Sequence, residues 1–307
     1  MKESNFVSAV VYVRQCQDTV GPFLTRLHAA LSENFQKFEL ICVNDASTDG
    51  SVQAVREFAE HSEGAMVSIL NMSYPQGLEA SMNAGVDLAI GDFVFEFDGT
   101  EMDYEPRLVM EVYRTALTGF DIVSATPNGR ARLTSRLFYR VFNRYANIQY
   151  QLETERFRVL SRRAINRVHA MSRTIPYRKA LYANCGLKME RLRYDPVGGG
   201  GRPRAEGGRS RLATDALVLF TNVAYRLALW LAVVMMALTL IVTGYTVVIY
   251  LSGSPVEGWT TTMLFLGFGF FGMFAILTLV LKYLSLLVEL TFRRQRYVFE
   301  SIEKISK

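Results

Sequence analysis

Phe38-Glu39-Leu40-Ile41-Cys42-Val43 runs into Asn44-Asp45-Ala46-Ser47-Thr48-Asp49, a β-rich apolar stretch that breaks abruptly into a polar turn carrying two aspartates. Val7 to Val13, Met66 to Leu70, Phe93 to Phe97 and Asp121 to Ala125 are four more runs of the first kind. Between them, apolar residues recur at helical spacing: Phe23, Leu24, Leu27 and Leu31; Val52, Val55 and Phe58; Leu78, Met82, Val86 and Leu88; Leu108, Val112 and Leu117. Strands alternating with helices of this length imply βαβ crossovers and a doubly wound parallel sheet buried on both faces. In such sheets ligands bind beyond the carboxyl ends of the strands. Here those ends read Arg14-Gln15, Asn44 to Asp49, Asn71 to Gly77, and Asp98-Gly99-Thr100, so two of the four carry carboxylates.

The chain has 307 residues, half of them hydrophobic, and a formal net charge of +5. Arginines concentrate between Arg130 and Arg211, which points to anionic partners such as phosphate or lipid headgroups rather than to nucleic acid. Cys16, Cys42 and Cys185 have neither CxxC spacing nor even pairing, so no disulfide framework is expected. His28, His61 and His169 are too scattered for a zinc motif. Met1 to Phe6 lacks the apolar core of a signal peptide, which places the first domain, residues 1–195, in the cytoplasm.

Leu227 to Leu251 and Trp259 to Leu281 are apolar stretches of about 25 and 23 residues, each long enough to cross a hydrocarbon core of roughly 30 Å. Arg226 precedes the first, and Arg293, Arg294 and Arg296 follow the second. The positive-inside rule therefore puts both flanks in the cytoplasm, giving a multi-pass protein of the inner membrane with a transmembrane hairpin over 227–290. The second apolar pattern continues past Lys282 to Leu290, so that helix should outlast its span. Residues 291–307 form an amphipathic cytoplasmic tail with Tyr297, Val298, Phe299, Ile302 and Ile305. Arg132, Arg136, Arg140 and Arg144 lie at i, i+4 spacing over 129–147; such a helix either lies in the membrane interface or shows a solvated face. Residues 196–226 begin with a Gly/Arg-rich loop that reads equally as a linker or as a phosphate clamp.

These stretches resemble those of family 2 glycosyltransferases of the GT-A fold. Within them the chain looks like the polyprenyl-phosphate glycosyltransferases, relatives of dolichol-phosphate mannose synthase, that end in two transmembrane helices. Val43 to Asp49 is close to the family's V-D-D-G-S-T-D, whose second aspartate, here Asp45, contacts the nucleobase. Gly91 to Asp98 resembles the strand leading to the metal-binding D-x-D, Glu101 to Pro106 the L-Q-D-P element, and Phe157 to Arg162 the F-R-L-M-S-R motif. The resemblance spans residues 7 to about 290. It implies an α/β GT-A domain, Rossmann-like and doubly wound, that binds a UDP- or GDP-linked sugar, followed by a two-helix membrane hairpin. The expected activity is transfer of that sugar to a polyprenyl phosphate for cell-envelope polysaccharide or glycolipid synthesis. Homo-oligomer formation is implied by the resemblance alone.

The residue roles follow from the same match. Asp45, Ser47, Gly77 and Asp98 are the expected nucleotide-sugar contacts. Asp98 would hold Mg²⁺ or Mn²⁺ and, with Asp103, serve catalysis. Departure of a nucleoside diphosphate requires its charge to be neutralised by a divalent cation or by Arg and Lys. An acceptor phosphate needs cationic positioning, for which Arg158, Ser161 and Arg162, with Arg209, Ser210 and Arg211, are the candidates. Each also has a structural reading: Asp45 as a helix cap or turn former, Asp98 as a turn residue, Asp103 as a helix start, Arg158 and Arg162 as surface ion pairs.

Four positions depart from the family pattern. The second aspartate of D-x-D is Thr100; P-V-Y-N-E-E reads Tyr12 to Gln17 without its acids; R-N-x-G-K reads Tyr74 to Leu78 without its basic groups; and the aspartate before F-R is Arg156. Either charge has been redistributed, with Glu101 or Asp103 sharing the cation and arginines replacing lost charge, or the chain is a catalytically degenerate scaffold or regulatory subunit.

Overall fold

The computed structural model describes residues 2–62, 64–128, 138–140, 142–144, 150–171, 177–197, 223–253, 258–291 and 299–305. They divide into two compact units, the first holding the residues up to 197 together with 299–305, the second the residues from 223 to 291.

In the first unit the expected strands form: β1 (Val7–Val13), β2 (Phe38–Asn44), β3 (Met66–Met72), β4 (Phe93–Phe97) and β5 (Ile122–Pro127). Helices α1 (Gln17–Asn34), α2 (Ser51–His61), α3 (Leu78–Leu88) and α4 (Arg107–Leu117) alternate with them. Three further strands, β6 (Phe157–Ser161), β7 (Met189–Tyr194) and β8 (Phe299–Ile305), complete one eight-stranded sheet of order β7-β5-β6-β4-β1-β2-β3-β8. Helices α5 (Arg162–Met171) and α6 (Arg178–Ala183) separate β6 from β7.

Two features correct the all-parallel expectation. β6 inserts between β4 and β5 and runs antiparallel to both, and β8 adds antiparallel to the edge at β3. The remaining strands share one direction, so the carboxyl ends of β1, β2, β3 and β4 open on one edge of the sheet. Because β6 is reversed, its beginning faces that edge: Phe157 pairs with Phe97 and Ser161 with Phe93. The segment expected as an amphipathic tail is thus partly a strand of the sheet.

The alternating residues of each central strand divide between two cores. Val7, Ala9, Val11 and Val13 of β1 pack with Phe23, Leu24, Leu27 and Leu31 of α1 and with Val109 and Val112 of α4. Val10 and Tyr12 pack instead with Met82 and Val86 of α3 and Ile165 and Val168 of α5. Fully burying one such Leu or Val contributes about 1.5–3 kcal/mol, which makes these faces the main source of stability. Gly85 lets α3 approach the sheet closely, since a Cβ there would meet side-chain carbons of Val10 and, at 2.6 Å, of Val43.

Of the basic segment 129–147, residues 138–140 and 142–144 are described and helical; Arg132 and Arg136 lie outside the described residues. Phe142 is fully buried, with its ring 6.1 Å from that of Tyr177, so this side chain packs on the domain.

The second unit consists of α7 (Val223–Leu251) and α8 (Trp259–Thr291). Within them Ala228–Leu251 and Trp259–Leu284 are 24 and 26 residues of high mean hydropathy, long and apolar enough to cross a membrane. Their apolar side chains face outward, among them Trp230, Ile241, Phe265 and Ile276, a surface suited to lipid rather than water. The two helices pack closely where Gly267 meets Thr243: a Cβ at Gly267 would collide with the Thr243 hydroxyl, whereas Gly269 has open space.

Candidate active site

The turn after β2 is organised around Asp45, whose side chain is fully buried. Its Oδ2 accepts hydrogen bonds from Tyr12 Oη at 2.8 Å and the Gly77 amide at 3.0 Å, and its Oδ1 from the Gln76 amide at 2.7 Å. Arg14 Nη1 reaches the Asp45 carbonyl at 2.8 Å and Oδ2 at 3.2 Å. One carboxylate therefore ties together the ends of β1 and β2 and the loop before α3. The Gly77 amide can point at it because the chain there takes φ +86°, a conformation open to glycine. Ser47, on the same turn, donates its amide to Asn44 Oδ1 at 2.9 Å. Asp45, Ser47 and Gly77 thus lie together at this edge of the sheet, with the Asp45 oxygens engaged by the protein itself.

Beyond β4, Asp98 sits in a buried ionic cluster. Its Oδ2 accepts from Arg158 Nη2 at 2.9 Å and its Oδ1 from Arg178 Nη2 at 2.7 Å. Arg158 also donates to Glu96 Oε2 at 2.7 Å and Glu155 Oε2 at 3.1 Å. Arg178 donates to Glu79 Oε2 at 3.0 Å and pairs with Glu96 Oε1 at 2.8 Å, an oxygen that also accepts from Tyr182 Oη at 2.8 Å. Both guanidiniums are only 1% exposed. Burial by itself would raise the Asp98 pKa, but the charges of Arg158 and Arg178, with Lys179 beyond them, hold it well below the usual carboxylate range. Burial likewise opposes the charge on both arginines, and the surrounding carboxylates more than offset it, so both stay protonated.

Asp103 forms a second pair. Arg156 donates through Nε to Oδ1 at 3.0 Å and through Nη2 to Oδ2 at 2.5 Å, and Tyr194 Oη adds a 2.8 Å bond to Oδ1. Arg156 Nη1 also lies 3.5 Å from Glu101 Oε2. The arginine that stands where the family has an aspartate is thus the partner of Asp103 (a bidentate, geometrically specific pair).

The structure brings Arg158 to this edge but not Ser161 or Arg162. Antiparallel β6 carries them to its opposite end, about 10 Å away at roughly 3.3 Å per residue. There Ser161 Oγ donates to Asp121 Oδ1 at 2.8 Å, and Arg162 binds the Ala89 carbonyl at 2.9 Å and the Gly91 carbonyl through Nε at 3.1 Å. Both therefore hold the β4 entrance and the start of α5, and the three do not converge on one phosphate. Arg209, Ser210 and Arg211 lie outside the described residues.

The residues around Asp98 do not fit a divalent cation as they are arranged. Both Asp98 oxygens are bound by guanidiniums, and the Thr100 hydroxyl shares a 2.6 Å hydrogen bond with Thr19 Oγ1. Among the described residues, no group of three or more His, Cys, Asp or Glu side chains could hold a metal ion. Arg178 was not legible as a site residue. The signal for it is indirect: Glu96, alone in the apolar run Phe93 to Phe97, demands a buried cation.

The mixed α/β sheet has the GT-A fold. The chain belongs to glycosyl transferase family 2, which matches residues 8–168 and so includes Asp45, Asp98, Asp103 and Arg158. It is 25% identical over 278 residues to an uncharacterized glycosyltransferase of Synechocystis, covering 85% of each chain. It is 30% identical over 125 residues to an undecaprenyl-phosphate 4-deoxy-4-formamido-L-arabinose transferase of Aeromonas hydrophila, covering 40% of this chain and 37% of that one. A mannosyltransferase from Pyrobaculum calidifontis, solved with GDP-Man and Mn²⁺, superposes with a TM-score of 0.51 at 17% identity, over 70% of this chain and 63% of that one.

Proposed function

We propose that this glycosyltransferase moves a sugar from a UDP- or GDP-linked donor to a polyprenyl phosphate at the cytoplasmic face of the inner membrane. The observation that carries the reading is the order of parts: a family 2 domain, then helices with apolar spans of 24 and 26 residues, then a strand that rejoins the domain's sheet. A chain that leaves the domain, crosses twice and returns keeps both flanks of the hairpin on the domain's side, the side from which a polyprenyl phosphate in that leaflet is reached. The undecaprenyl-phosphate transferase of Aeromonas hydrophila supports the choice of acceptor.

In this reading the Asn44–Asp49 turn holds the nucleoside, and Asp45 and Gly77 set its shape. Asp103, aligned by Arg156 and Tyr194, is assigned the catalytic role, a reading supported by its fixed orientation. Arg158 and Arg178 are too deeply buried to grip a phosphate; they fix Asp98 and Glu96 and offset their charge. Among the described residues, the half-exposed cations Arg14, which also pairs with Asp45, and Lys179 are assigned to the diphosphate, with Arg209, Ser210 and Arg211 proposed for the acceptor phosphate. A resident cation at Asp98 is not used in this scheme, because the carboxylate is already paired. That same pairing favours a second reading, a degenerate domain acting as scaffold or regulatory subunit.

Incubating the detergent-purified chain with undecaprenyl phosphate and a panel of UDP- and GDP-sugars, with lipid-linked product read by mass spectrometry, separates the two. Product that disappears in Asp103→Asn supports transfer. No product and no donor binding across the panel supports the scaffold.

A further inference from the structure

The strand that follows the membrane-type helices touches the donor turn through a directed chain of amides. α8 ends at Thr291 and β8 opens at Phe299, pairing antiparallel with β3 from Val67↔Ile305 to Asn71↔Ser301; the register then shifts between Asn71 and Met72. At that irregularity Asn71 Nδ2 donates to Ser301 Oγ at 3.1 Å and to Glu303 Oε1 at 3.0 Å. Its Oδ1 accepts from Asn44 Nδ2 at 3.0 Å, and Asn44 Oδ1 accepts the Ser47 amide at 2.9 Å.

The donor and acceptor inventory gives this chain a polarity. Ionised Glu303 can only accept, so the amide of Asn71 must turn its nitrogen to β8 and its oxygen to Asn44. Asn44 must then present its nitrogen to Asn71 and its oxygen to the Ser47 amide. Glu303 also accepts from Arg56 of α2, through Nε at 3.1 Å and Nη2 at 2.9 Å, a partly exposed pair separate from the bond to Asn71. Simple protection of a sheet edge would require backbone pairing alone, and nothing in it would orient Asn44.

We propose that Asn71, oriented by Ser301 and Glu303 of the C-terminal strand, is a positioning residue for the donor turn, so that docking of β8 sets the affinity for the nucleoside diphosphate. The proposal rests on the reading of the Asn44–Asp49 turn as the nucleoside contact. It makes the segment after the membrane helices part of the donor site's architecture.

The test uses the full chain in detergent, comparing native protein, the double variant Ser301→Ala/Glu303→Ala, and Arg56→Ala. Two quantities are read: amide hydrogen exchange at Ser47, and the Kd for UDP and GDP by calorimetry. In the double variant, Ser47 exchange accelerates about tenfold and the Kd of the nucleotide that binds rises about tenfold, as expected for the loss of roughly one hydrogen bond's worth of ordering. Arg56→Ala removes the surface ion pair but keeps the Glu303 to Asn71 bond, so it stays within about threefold of native in both readings. Unchanged Ser47 exchange in the double variant, or an equal effect of Arg56→Ala, would overturn the proposal. Native protein that binds neither nucleotide refutes the donor-turn reading instead, while Ser47 exchange still decides whether β8 orders the turn.

Discussion

Asp98 Oδ1 accepts a 2.7 Å hydrogen bond from Arg178 Nη2, a partner 80 residues away in sequence. With Arg158 on the other oxygen, two guanidiniums serve four carboxylates, Glu79, Glu96, Asp98 and Glu155. Removing one arginine would strand carboxylates in a largely buried site. Such a loss costs about 3–5 kcal/mol, because the remaining charge stays buried and unpaired. Arg178→Met is therefore expected to lower the Tm by roughly 10 °C in thermal unfolding of the detergent-solubilised chain, at about 2–4 °C per kcal/mol for a domain of this size. Arg178→Lys should recover only part of that, since an ammonium cannot reproduce the fork that meets Glu79, Glu96 and Asp98 together. A change under about 2 °C in Arg178→Met would mean that water screens the cluster.

The same cluster sets a pH dependence. A carboxylate whose folded pKa lies below its unfolded value adds stability above the unfolded value, near 4, and loses it as pH falls toward the folded one. Asp98 is such a group, held down against its burial by Arg158 and Arg178. The arginines themselves are shifted upward, out of any accessible pH range, and contribute no slope. Stability should therefore be flat from pH 7 to about 5 and fall below about 4. In Asp98→Asn the fall should be shallower, with the remainder including Asp49, Asp121 and Glu303, which are also lowered: Asp49 against its burial by hydrogen bonds from Ser51, Asp121 by Arg163 and Glu303 by Arg56. Tm measured at half-unit steps of pH for both proteins tests this; identical slopes would remove Asp98 from the account.

Thr100 bears on metal affinity. Oxygen ligands for a divalent cation are chiefly carboxylates, and the position that would supply the second one carries a hydroxyl bonded to Thr19. Native protein without nucleotide should bind Mn²⁺ no more tightly than Asp98→Asn does. Thr100→Asp should tighten binding by about tenfold or more, by adding a charged ligand beside Asp98. Titration of free Mn²⁺ by electron paramagnetic resonance reads both. Tight binding by the native chain that Asp98→Asn abolishes would show that the guanidiniums yield to the ion.

How much of this was legible depended on whether the information was local. Continuous apolar runs and helical spacing located β1 to β5 and the four helices between them, and the polar breaks after β2 and β4 located Asp45 and Asp98. Strand direction was not local. Phe157 to Ser161 reads the same whether it runs with β4 or against it, and only the pairing of Phe157 with Phe97 shows that Arg158 reaches the cleft while Ser161 and Arg162 leave it. Arg156 was visible as a lost aspartate, but its role as the partner of Asp103 required the third dimension. In β8, the apolar residues at 299, 302 and 305 suggested an amphipathic tail, whereas the residues turned inward are Ser301, Glu303 and Ile305. That face is polar at Ser301 and Glu303, where its neighbours are Asn71 and Arg56, and apolar at Ile305, which packs on the core.

The turn that carries Asp45 also stores strain. Ala46 occupies the place where the family motif V-D-D-G-S-T-D has glycine, and it takes φ +50°, in the left-handed region. For an L-residue that conformation costs about 1–2 kcal/mol, from the approach of Cβ to the following carbonyl oxygen. Glycine would remove the cost, while its extra freedom in the unfolded chain returns about 0.5–1 kcal/mol. Ala46→Gly should thus raise stability by about 0.5–1 kcal/mol, a Tm increase of roughly 2 °C. Asp45 makes its bonds to Tyr12, Gln76 and Gly77 with Ala46 at the left-handed angle, and glycine adopts that angle without a Cβ, so the substitution leaves those bonds in place. A fall in Tm on Ala46→Gly would mean that the Ala46 methyl packs favourably enough to outweigh the strain, and Ala46→Ser, which keeps a Cβ, would then stay near native.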